Sequence, residues 1–146
     1  MIDLAVALAL QDAGFGVYGE TIFANRSPIL DTGAVSSKDG IWVTATTISY
    51  NAGHYTDQLT ISTRYYDAIQ QGETLLRIMS WINSTLVDAC TLSCEPESPI
   101  VFDHLDIHPA SSIDLDAIDD EGRYVKSIHF TVTYPLPDTS RLEGVS

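Results

Sequence analysis

The sequence predicts an α+β fold, a single domain in which a mixed, mostly antiparallel sheet packs against one long and one short helix, in the order α-β-β-β-α-β-β-β. Two observations predict it. Apolar residues recur at helical spacing over residues 67–89, and apolar and polar residues alternate over residues 58–65 and 124–134. The length of 146 residues suits one domain, which we place at residues 1–135, with a C-terminal tail at 136–146.

The N-terminal part of the chain is expected to hold a short helix, an extended segment and a long loop. Leu4 and Leu8 share one face of the helix, and Gly14 suits its C-terminal cap. Residues 15–25 contain β-forming side chains. Residues 26–40 are rich in Ser, Pro, Gly and Asp, so they predict a loop of about 15 residues, a length that is often functional in a compact domain.

A β-hairpin is predicted next. The β-branched and aromatic residues at positions 41–50 favour a strand, and the turn signal Asn-Ala-Gly follows at residues 51–53. Side chains in residues 58–65 alternate between the two faces of a strand. The residues expected on one shared face are Leu59, Ile61, Thr63 and Tyr65.

The clearest helix in the sequence covers residues 67–89, and Asp67 is expected to cap its start. Apolar residues at helical spacing form one wide stripe, which is typical of a helix that packs against a core. The members of this stripe are Ile69, Leu75, Leu76, Met79, Ile82 and Leu86.

The period of the pattern returns to two after Pro99. Residues 100–109 and 113–118 predict short strands, and residues 124–134 predict the strongest strand of the chain. An acidic tight turn at residues 119–122 precedes this last strand. The face of the last strand that is expected to be apolar carries Tyr124, Ile128, Phe130, Val132 and Tyr134.

The charge argues against several classes of function. The chain has 7 basic and 20 acidic residues and a net charge of −13, whereas binding to duplex nucleic acid or to an anionic membrane needs the opposite sign. The longest apolar run, residues 4–10, falls short of the about 20 residues that span a bilayer, and no basic residue precedes it as in a signal peptide. Such acidity suits either a high-salt environment, where self-repulsion is screened, or simply an acidic protein.

Three residues are candidate metal ligands. His104, Asp106 and His108 alternate along a predicted strand, would share one face, and are of types that bind Zn²⁺ or Fe²⁺. An exposed polar strand face is the favoured alternative. Cys90 and Cys94 could share a metal or oxidise, although ordinary packing is favoured. We therefore expect no metal, no cofactor and no enzymatic activity.

The densest acidic patch lies just before the last predicted strand. A calcium loop of the EF-hand type that begins at Asp114 would need Gly at its sixth position, where the chain has Asp119. The motif therefore fails. The patch consists of Asp114, Asp116, Asp119, Asp120 and Glu121.

Local motifs resemble those of the tail terminator or minor capsid proteins of long-tailed bacteriophages and related archaeal viruses. One is the alternating strand LTISTR at residues 59–64, which ends in Arg and leads into the long helix. The other is the acidic Gly-Arg turn IDDEGRY at 118–124, followed by SIHFTVTY at 127–134. The order of elements also matches, and the resemblance covers most of the chain, from Ile2 to about Tyr134.

The resemblance implies a structural virion protein, assembled in the host cytoplasm and located in the tail or neck of the particle. Such proteins form rings, usually of six copies, that cap the tail tube and join it to the head connector. The implied partners are further copies of the chain, the major tail tube protein, and the head–tail connector or neck protein. Genome DNA would pass through without specific binding, and no membrane is implied.

The implied ring gives the charged residues a role. We expect part of the patch at residues 114–121, or of the loop at 26–40, to face the channel or a ring neighbour, because a negative lumen lets DNA slide. Arg64 and Arg123 are candidates to pair with those carboxylates across a head-to-tail subunit contact. One alternative is a neck or head–tail joining protein of the same particle.

Two alternatives belong to other classes. A small metal-dependent enzyme would use His104, Asp106 and His108. A monomeric ligand-binding domain would need a well-formed apolar pocket, of which the sequence shows no sign.

Overall fold

The computed structural model describes residues 1–24, 39–114, 117–119 and 121–137. These residues form an α+β fold of two α-helices and a mixed sheet, as predicted. No helix in these residues is long and apolar enough to cross a membrane. The elements are α1 (Ile2–Asp12), β1 (Ile22–Ala24), β2 (Gly40–Asn51), β3 (His54–Tyr65), α2 (Ala68–Ser84), a 3₁₀ turn (Leu86–Asp88), β4 (Leu92–Ser93), β5 (Val101–Phe102), β6 (Asp106–Ile107), β7 (Ser112–Ile113), β8 (Ala117–Ile118) and β9 (Tyr124–Pro135).

The main sheet has three long antiparallel strands at its centre, in the order β2-β3-β9. At one edge, β1 pairs with β2 in parallel. At the other edge, β6, β7 and β8 each pair with a different part of β9. Strands β4 and β5 form a separate two-stranded sheet.

Both helices pack against one face of the main sheet, α1 on β1 and β2 and α2 on β3 and β9. On that face the long strands present apolar side chains, such as the buried cross-strand pair Leu59 and Phe130. The opposite face of the same strands is rich in hydroxyl groups. There Ser62 and Ser127 share a hydrogen bond of 2.8 Å across the ladder. The alternation predicted from the sequence therefore sorts core from outer face.

The long helix starts as predicted but ends early. The Oδ1 of Asp67 accepts a hydrogen bond from the Ile69 N–H at 2.9 Å, which caps the helix. The helix ends at Ser84 instead of residue 89, and the 3₁₀ turn follows. The predicted stripe was wrong at Ile69 and Leu76, which are 72% and 67% exposed.

The buried face of α2 contains a polar residue that apolar spacing does not reveal. Its buried residues are Gln71, Leu75, Ile78 and Ile82. The Gln71 side-chain amide donates to the carbonyl and the hydroxyl oxygen of Thr63, both at 3.3 Å. Burial of an amide costs little when the amide is hydrogen-bonded, so Gln71 can lie on the buried side of α2. The buried side therefore includes Gln71 and Ile78 in place of the predicted Ile69 and Leu76.

The predicted short strands are more fragmented than expected. Residues 100–109 contain β5 and β6, and residues 113–118 contain β8 and the end of β7, each strand only two residues long. His104 lies between β5 and β6 with φ of 55°, in the left-handed region, so the predicted alternation of residues 104–108 is wrong.

The two segments that flank the hairpin also differ from the expectation. Of the residues predicted to be extended, 15–25, the structure describes 15–24, and the strand among these is β1. Most of the predicted loop at residues 26–40 lies outside the described residues, and Gly40 already belongs to β2. Most of the predicted tail is likewise outside them, although the Leu136 N–H donates to the Gly53 carbonyl at 3.3 Å.

Candidate functional site

A buried ion pair joins β3 to the segment that follows β8. Arg64 lies near the end of β3, and Asp119 comes directly after β8. The Arg64 Nε donates to the Asp119 Oδ2, and the two side chains are only 6% and 12% exposed. The pair links residues 55 positions apart in the chain, so it fixes the acidic turn against the sheet.

The same Asp119 organises the turn that leads into β9. Its Oδ1 accepts the backbone N–H groups of Glu121 and Arg123, both at 2.9 Å. Burial alone would raise the pKa of Asp119, but these two amides and the Arg64 guanidinium outweigh burial and hold the pKa below its ordinary value. Gly122 takes the φ of 85° that this turn requires.

The second arginine of the turn is also held within the chain. Arg123 Nε donates to the Asp39 Oδ1 at 2.8 Å, and its Nη1 donates to the Glu121 Oε2. Its guanidinium lies 4.2 Å from the centre of the Tyr66 ring, in cation–π geometry. Burial would lower the pKa of Arg123, but the bonds to Asp39 and Glu121 outweigh burial and raise the pKa.

The structure thus brings together four of the residues singled out in the sequence: Arg64, Asp119, Glu121 and Arg123. Asp114 is not part of this cluster; its Oδ1 lies 2.9 Å from the Nε2 of His129. Asp116 and Asp120 lie outside the described residues. Both arginines have carboxylate partners in their own chain, whereas we expected partners in a neighbouring subunit. An interface role for the acidic patch stays a prediction. It concerns those patch residues whose side chains are exposed.

Sequence reasoning missed three residues of this region: Asp39, Tyr66 and Trp42. Trp42 is fully buried on the outer face of the sheet, where it stacks on Phe23 at 5.1 Å between ring centres. The Arg64 guanidinium lies 5.8 Å from the Trp42 ring centre. The pairing of the predicted hairpin could have indicated Trp42. Trp42 lies opposite Ser62, and Ser62 is two positions from Arg64 on the same strand.

The candidate metal ligands do not form a site. His108 Nε2 and Asp106 Oδ2 are 3.5 Å apart, but both side chains are exposed, and the left-handed backbone at His104 breaks the shared face. Among the described residues, no group of three or more His, Cys, Asp or Glu side chains is arranged to hold a metal. Cys90 is exposed and Cys94 is buried, and both are free thiols.

A buried carboxylate lies near the hairpin end of the sheet. Asp57 is 4% exposed, and its Oδ2 accepts a hydrogen bond from the Tyr134 hydroxyl at 2.7 Å. Its Oδ1 is buried without a hydrogen-bond partner. Burial, and then the bond to Asp57, raises the pKa of Tyr134, so Tyr134 stays protonated and donates.

The groove found among the described residues is small for a ligand site. A half-open groove of about 240 Å³ lies between α1 and the β4 segment, with Leu8, Leu92 and Pro96 in its lining. Ligand sites are usually enclosed and about 300–1,000 Å³ in volume. Several large apolar side chains are exposed instead, among them Ile48, Tyr50, Tyr66, Ile69, Leu76, Ile118 and Leu136.

The sequence matches no family model and no curated protein. The function is therefore argued from the residues and their geometry.

Proposed function

We propose that this chain is a structural subunit of a tailed virus particle, a tail terminator that forms a ring at the end of the tail tube and joins it to the head connector. The proposal rests first on the motifs at residues 59–64 and 118–134. In the structure these motifs meet, because Arg64 of the first binds Asp119 of the second. The alternative within the same particle is a neck or head–tail joining protein.

The observation that carries the proposal is a pair of exposed apolar side chains on the outward face of α2. Ile69 and Leu76 are seven residues, or about two helical turns, apart, so they lie on one side of the helix. Their side chains are 72% and 67% exposed. Isolated exposed apolar residues are ordinary. Two such side chains on the same exposed side of a helix offer a contact surface for a neighbouring subunit.

The charge distribution supports a role around DNA without DNA binding. Glu121 and Asp114 keep side chains that are 41% and 60% exposed, and the whole chain carries −13. A ring that presents such carboxylates to its channel repels phosphates. In the proposed assembly the partners are further copies of the chain, the tail tube protein and the connector, and the location is the virion.

Light scattering of the purified chain, at low and at molar KCl and with and without the tail tube protein, tests the proposal. Six copies of 15.9 kDa give about 95 kDa. We expect a ring of that size, alone or on the tube protein, and we expect Leu76→Glu to disrupt it. Gln70→Glu is the matched control, because Gln70 is exposed on the same helix but on another side.

A monomer under every one of these conditions would overturn the proposal. So would a ring that Leu76→Glu and Gln70→Glu leave equally intact, because the α2 face would then have no part in assembly. A monomer with stoichiometric bound zinc or iron, lost in His108→Ala, would favour the metal-dependent enzyme.

A further inference from the structure

A hydroxyl, an imidazole and a carboxylate form a continuous chain of hydrogen bonds on the outer face of the main sheet. The Thr60 Oγ1 lies 2.9 Å from the His129 Nδ1, and the His129 Nε2 lies 2.9 Å from the Asp114 Oδ1. Thr60 and His129 are directly opposite each other on β3 and β9, and Asp114 follows β7. The three residues are far apart in the sequence, so their spacing forms no motif.

The two bonds of His129 determine which of its ring nitrogens carries the proton. A carboxylate only accepts hydrogen bonds, so the Nε2 of His129 carries the hydrogen and donates it to Asp114. In the neutral imidazole the Nδ1 then has a free lone pair and accepts from the Thr60 hydroxyl. His129 is therefore oriented as a general base toward the Thr60 Oγ1, and Asp114 holds this orientation.

Backbone hydrogen bonds keep the three side chains together. Thr60 and His129 belong to two of the long central strands. The N–H groups of Ser111 and Asp114 donate to the carbonyls of His129 and Ser127, at 2.8 and 3.0 Å. These bonds involve no side chain, so they hold Asp114 beside His129 and survive substitution of any of the three residues. The arrangement therefore rests on regular strands, which position a site more precisely than loops do.

The arrangement is reachable from solvent. Thr60 is half-buried, and the side chains of His129 and Asp114 are 16% and 60% exposed. Thr44 lies directly opposite Thr60 on β2, so its hydroxyl is on the same face and can donate to an oxyanion that forms at Thr60. The chain carries −13, which repels anionic molecules. A small neutral ester is therefore the class of substrate that fits.

We infer that Thr60, His129 and Asp114 form an acyl-transfer site that hydrolyses small neutral esters. The Thr60 Oγ1 attacks the ester carbonyl carbon while the His129 Nδ1 takes the hydroxyl proton. The bond from that carbon to the leaving oxygen then breaks, and His129 returns the proton to the departing alcohol, which leaves an acyl ester on Thr60. Water, deprotonated by His129, attacks this ester, releases the carboxylic acid and restores the hydroxyl. Thr60 and His129 are the catalytic residues, and Asp114 is a positioning residue.

Hydrolysis of p-nitrophenyl acetate by the full chain tests the inference. We expect Thr60→Val and His129→Ala each to lower kcat about 100-fold, the lower end of what general base catalysis contributes. Thr60→Ser should retain kcat, because it keeps a hydroxyl. His108→Ala is the matched control and should leave kcat unchanged, since it removes an exposed imidazole that also lies beside a carboxylate, Asp106. Circular dichroism confirms the fold of each variant.

The positioning role of Asp114 is tested by rescue. Asp114→Ala should lower kcat with little change in KM, because the carboxylate contacts His129 and not the substrate. Asp114→Glu should recover most of the lost kcat, because the exposed side chain has room to keep a carboxylate within reach of the His129 Nε2. An equal kcat in Asp114→Ala and the wild type would overturn the role assigned to this carboxylate.

The covalent intermediate gives a test that needs no variant and so covers the case in which a variant fails to fold. After acid quenching of the wild type during turnover, peptide mass spectrometry should find the acetyl group on Thr60. An acetyl group on another residue instead would overturn the inference. A rate that Thr60→Val leaves unchanged while His129→Ala abolishes it would also overturn it, because the imidazole would then act alone.

The inference does not rest on the proposed ring, and the two can fail separately. A wild-type rate no higher than that of His129→Ala, in a chain that forms the ring, overturns this inference alone. Ester hydrolysis by a chain that never forms a ring, with or without the tail tube protein, overturns the proposed function alone.

Discussion

The two edges of the main sheet differ in the described strands that pair with them. Along β9, the two-residue strands β6, β7 and β8 pair with three successive parts of the long strand. Along β2, the short strand β1 pairs with residues 41–43, and no other described strand pairs with this side of β2. The difference shows that a long strand can be covered by short pieces of chain, provided that something outside the backbone ladder holds those pieces in place.

Side chains hold the covered edge. Asp119 is tied to Arg64 after β8, and Asp114 is tied to His129 after β7. The covering segment also carries no Lys or Arg between residues 103 and 121, so its acidic surface discourages a further strand. In the part of the chain that the structure describes, no such series of short strands lies along β2, and residues 44–51 of β2 carry no charge.

Removal of the buried arginine should have the largest effect on the covered edge. Arg64→Met leaves the Asp119 carboxylate buried without its guanidinium partner, and breaking a buried pair in this way costs about 3–5 kcal/mol. Urea unfolding measures the loss in the free energy of unfolding. Amide exchange should at the same time show faster opening of β8 than of β2.

The double variant Arg64→Met with Asp119→Asn is the control, because removal of both charges should recover part of the loss. The pH dependence gives a second control. The lowered pKa of Asp119 stabilises the fold above the ordinary carboxyl range, and this stability is lost as pH falls through the folded-state pKa. Arg64→Met should lose less stability on acidification than the wild type. Equal losses in both proteins would contradict the assigned pairing.

A substitution at the hairpin end of the sheet should lower the free energy of unfolding less than Arg64→Met does. Tyr134→Phe removes the one hydrogen bond that the described residues make to the side chain of the buried Asp57, and an unsatisfied buried acceptor costs about 1–3 kcal/mol. Urea unfolding again provides the measurement. Tyr50→Phe is the matched control, because Tyr50 is 61% exposed and loss of its hydroxyl should change little. Comparable effects of the two substitutions would show that the Asp57 bond does not stabilise the fold.

A smaller effect is expected at the middle of the covered edge. His129 bridges Thr60 of β3 at 2.9 Å and Asp114 after β7, also at 2.9 Å. His129→Ala should cost about 1 kcal/mol, since one or two partly exposed hydrogen bonds are lost, and the β7 amides should exchange faster. His108→Ala is the control, because that side chain is 51% exposed and lies 3.5 Å from an exposed Asp106. An equal cost for both would mean that His129 does not hold β7.

The smallest effect concerns salt. The segment that pairs with β9 is acidic, whereas residues 44–51 of β2 are neutral. Salt should stabilise the fold because it screens the repulsion between carboxylates of the acidic segment. The screening length falls from about 30 Å at 0.01 M to about 3 Å at 1 M salt. The melting temperature should therefore rise between low and molar KCl. Asp106→Asn should reduce the rise slightly, and a melting temperature independent of KCl would refute the high-salt hypothesis.

Much of the fold could be predicted from local patterns. The alternation around Leu59 and Ile61, and the matching alternation around Phe130, follow from the two-residue period of a strand. Asp67 indicates the start of α2, because Asp is a favoured residue at the N-cap of a helix. The two-residue strands could not be predicted, because a pattern of two positions has no period. Gln71 also escaped, because its burial depends on the Thr63 acceptors of a neighbouring strand.

The sequence singled out Arg64, Asp119, Glu121 and Arg123, but it gave neither their connections nor the part taken by Asp39 and Tyr66. The sequence marked Arg64 and the acidic turn as a functional region, yet their mutual bond spans 55 residues. Asp39 was part of a predicted loop and gave no signal. Which carboxylate an arginine reaches depends on strand order and register, and these are set by the packing of the whole sheet.

The amino-acid sequence by itself determined the α+β composition, the hairpin, the capped long helix and the strong negative charge, because each depends on neighbours within a few residues. Only the tertiary structure decided that Arg64 and Arg123 have carboxylate partners inside the chain, that Ile69 and Leu76 face outward, and that β6, β7 and β8 pair with β9. Those outcomes depend on which distant segments meet. Long-range packing chooses among faces and partners that local chemistry leaves equivalent.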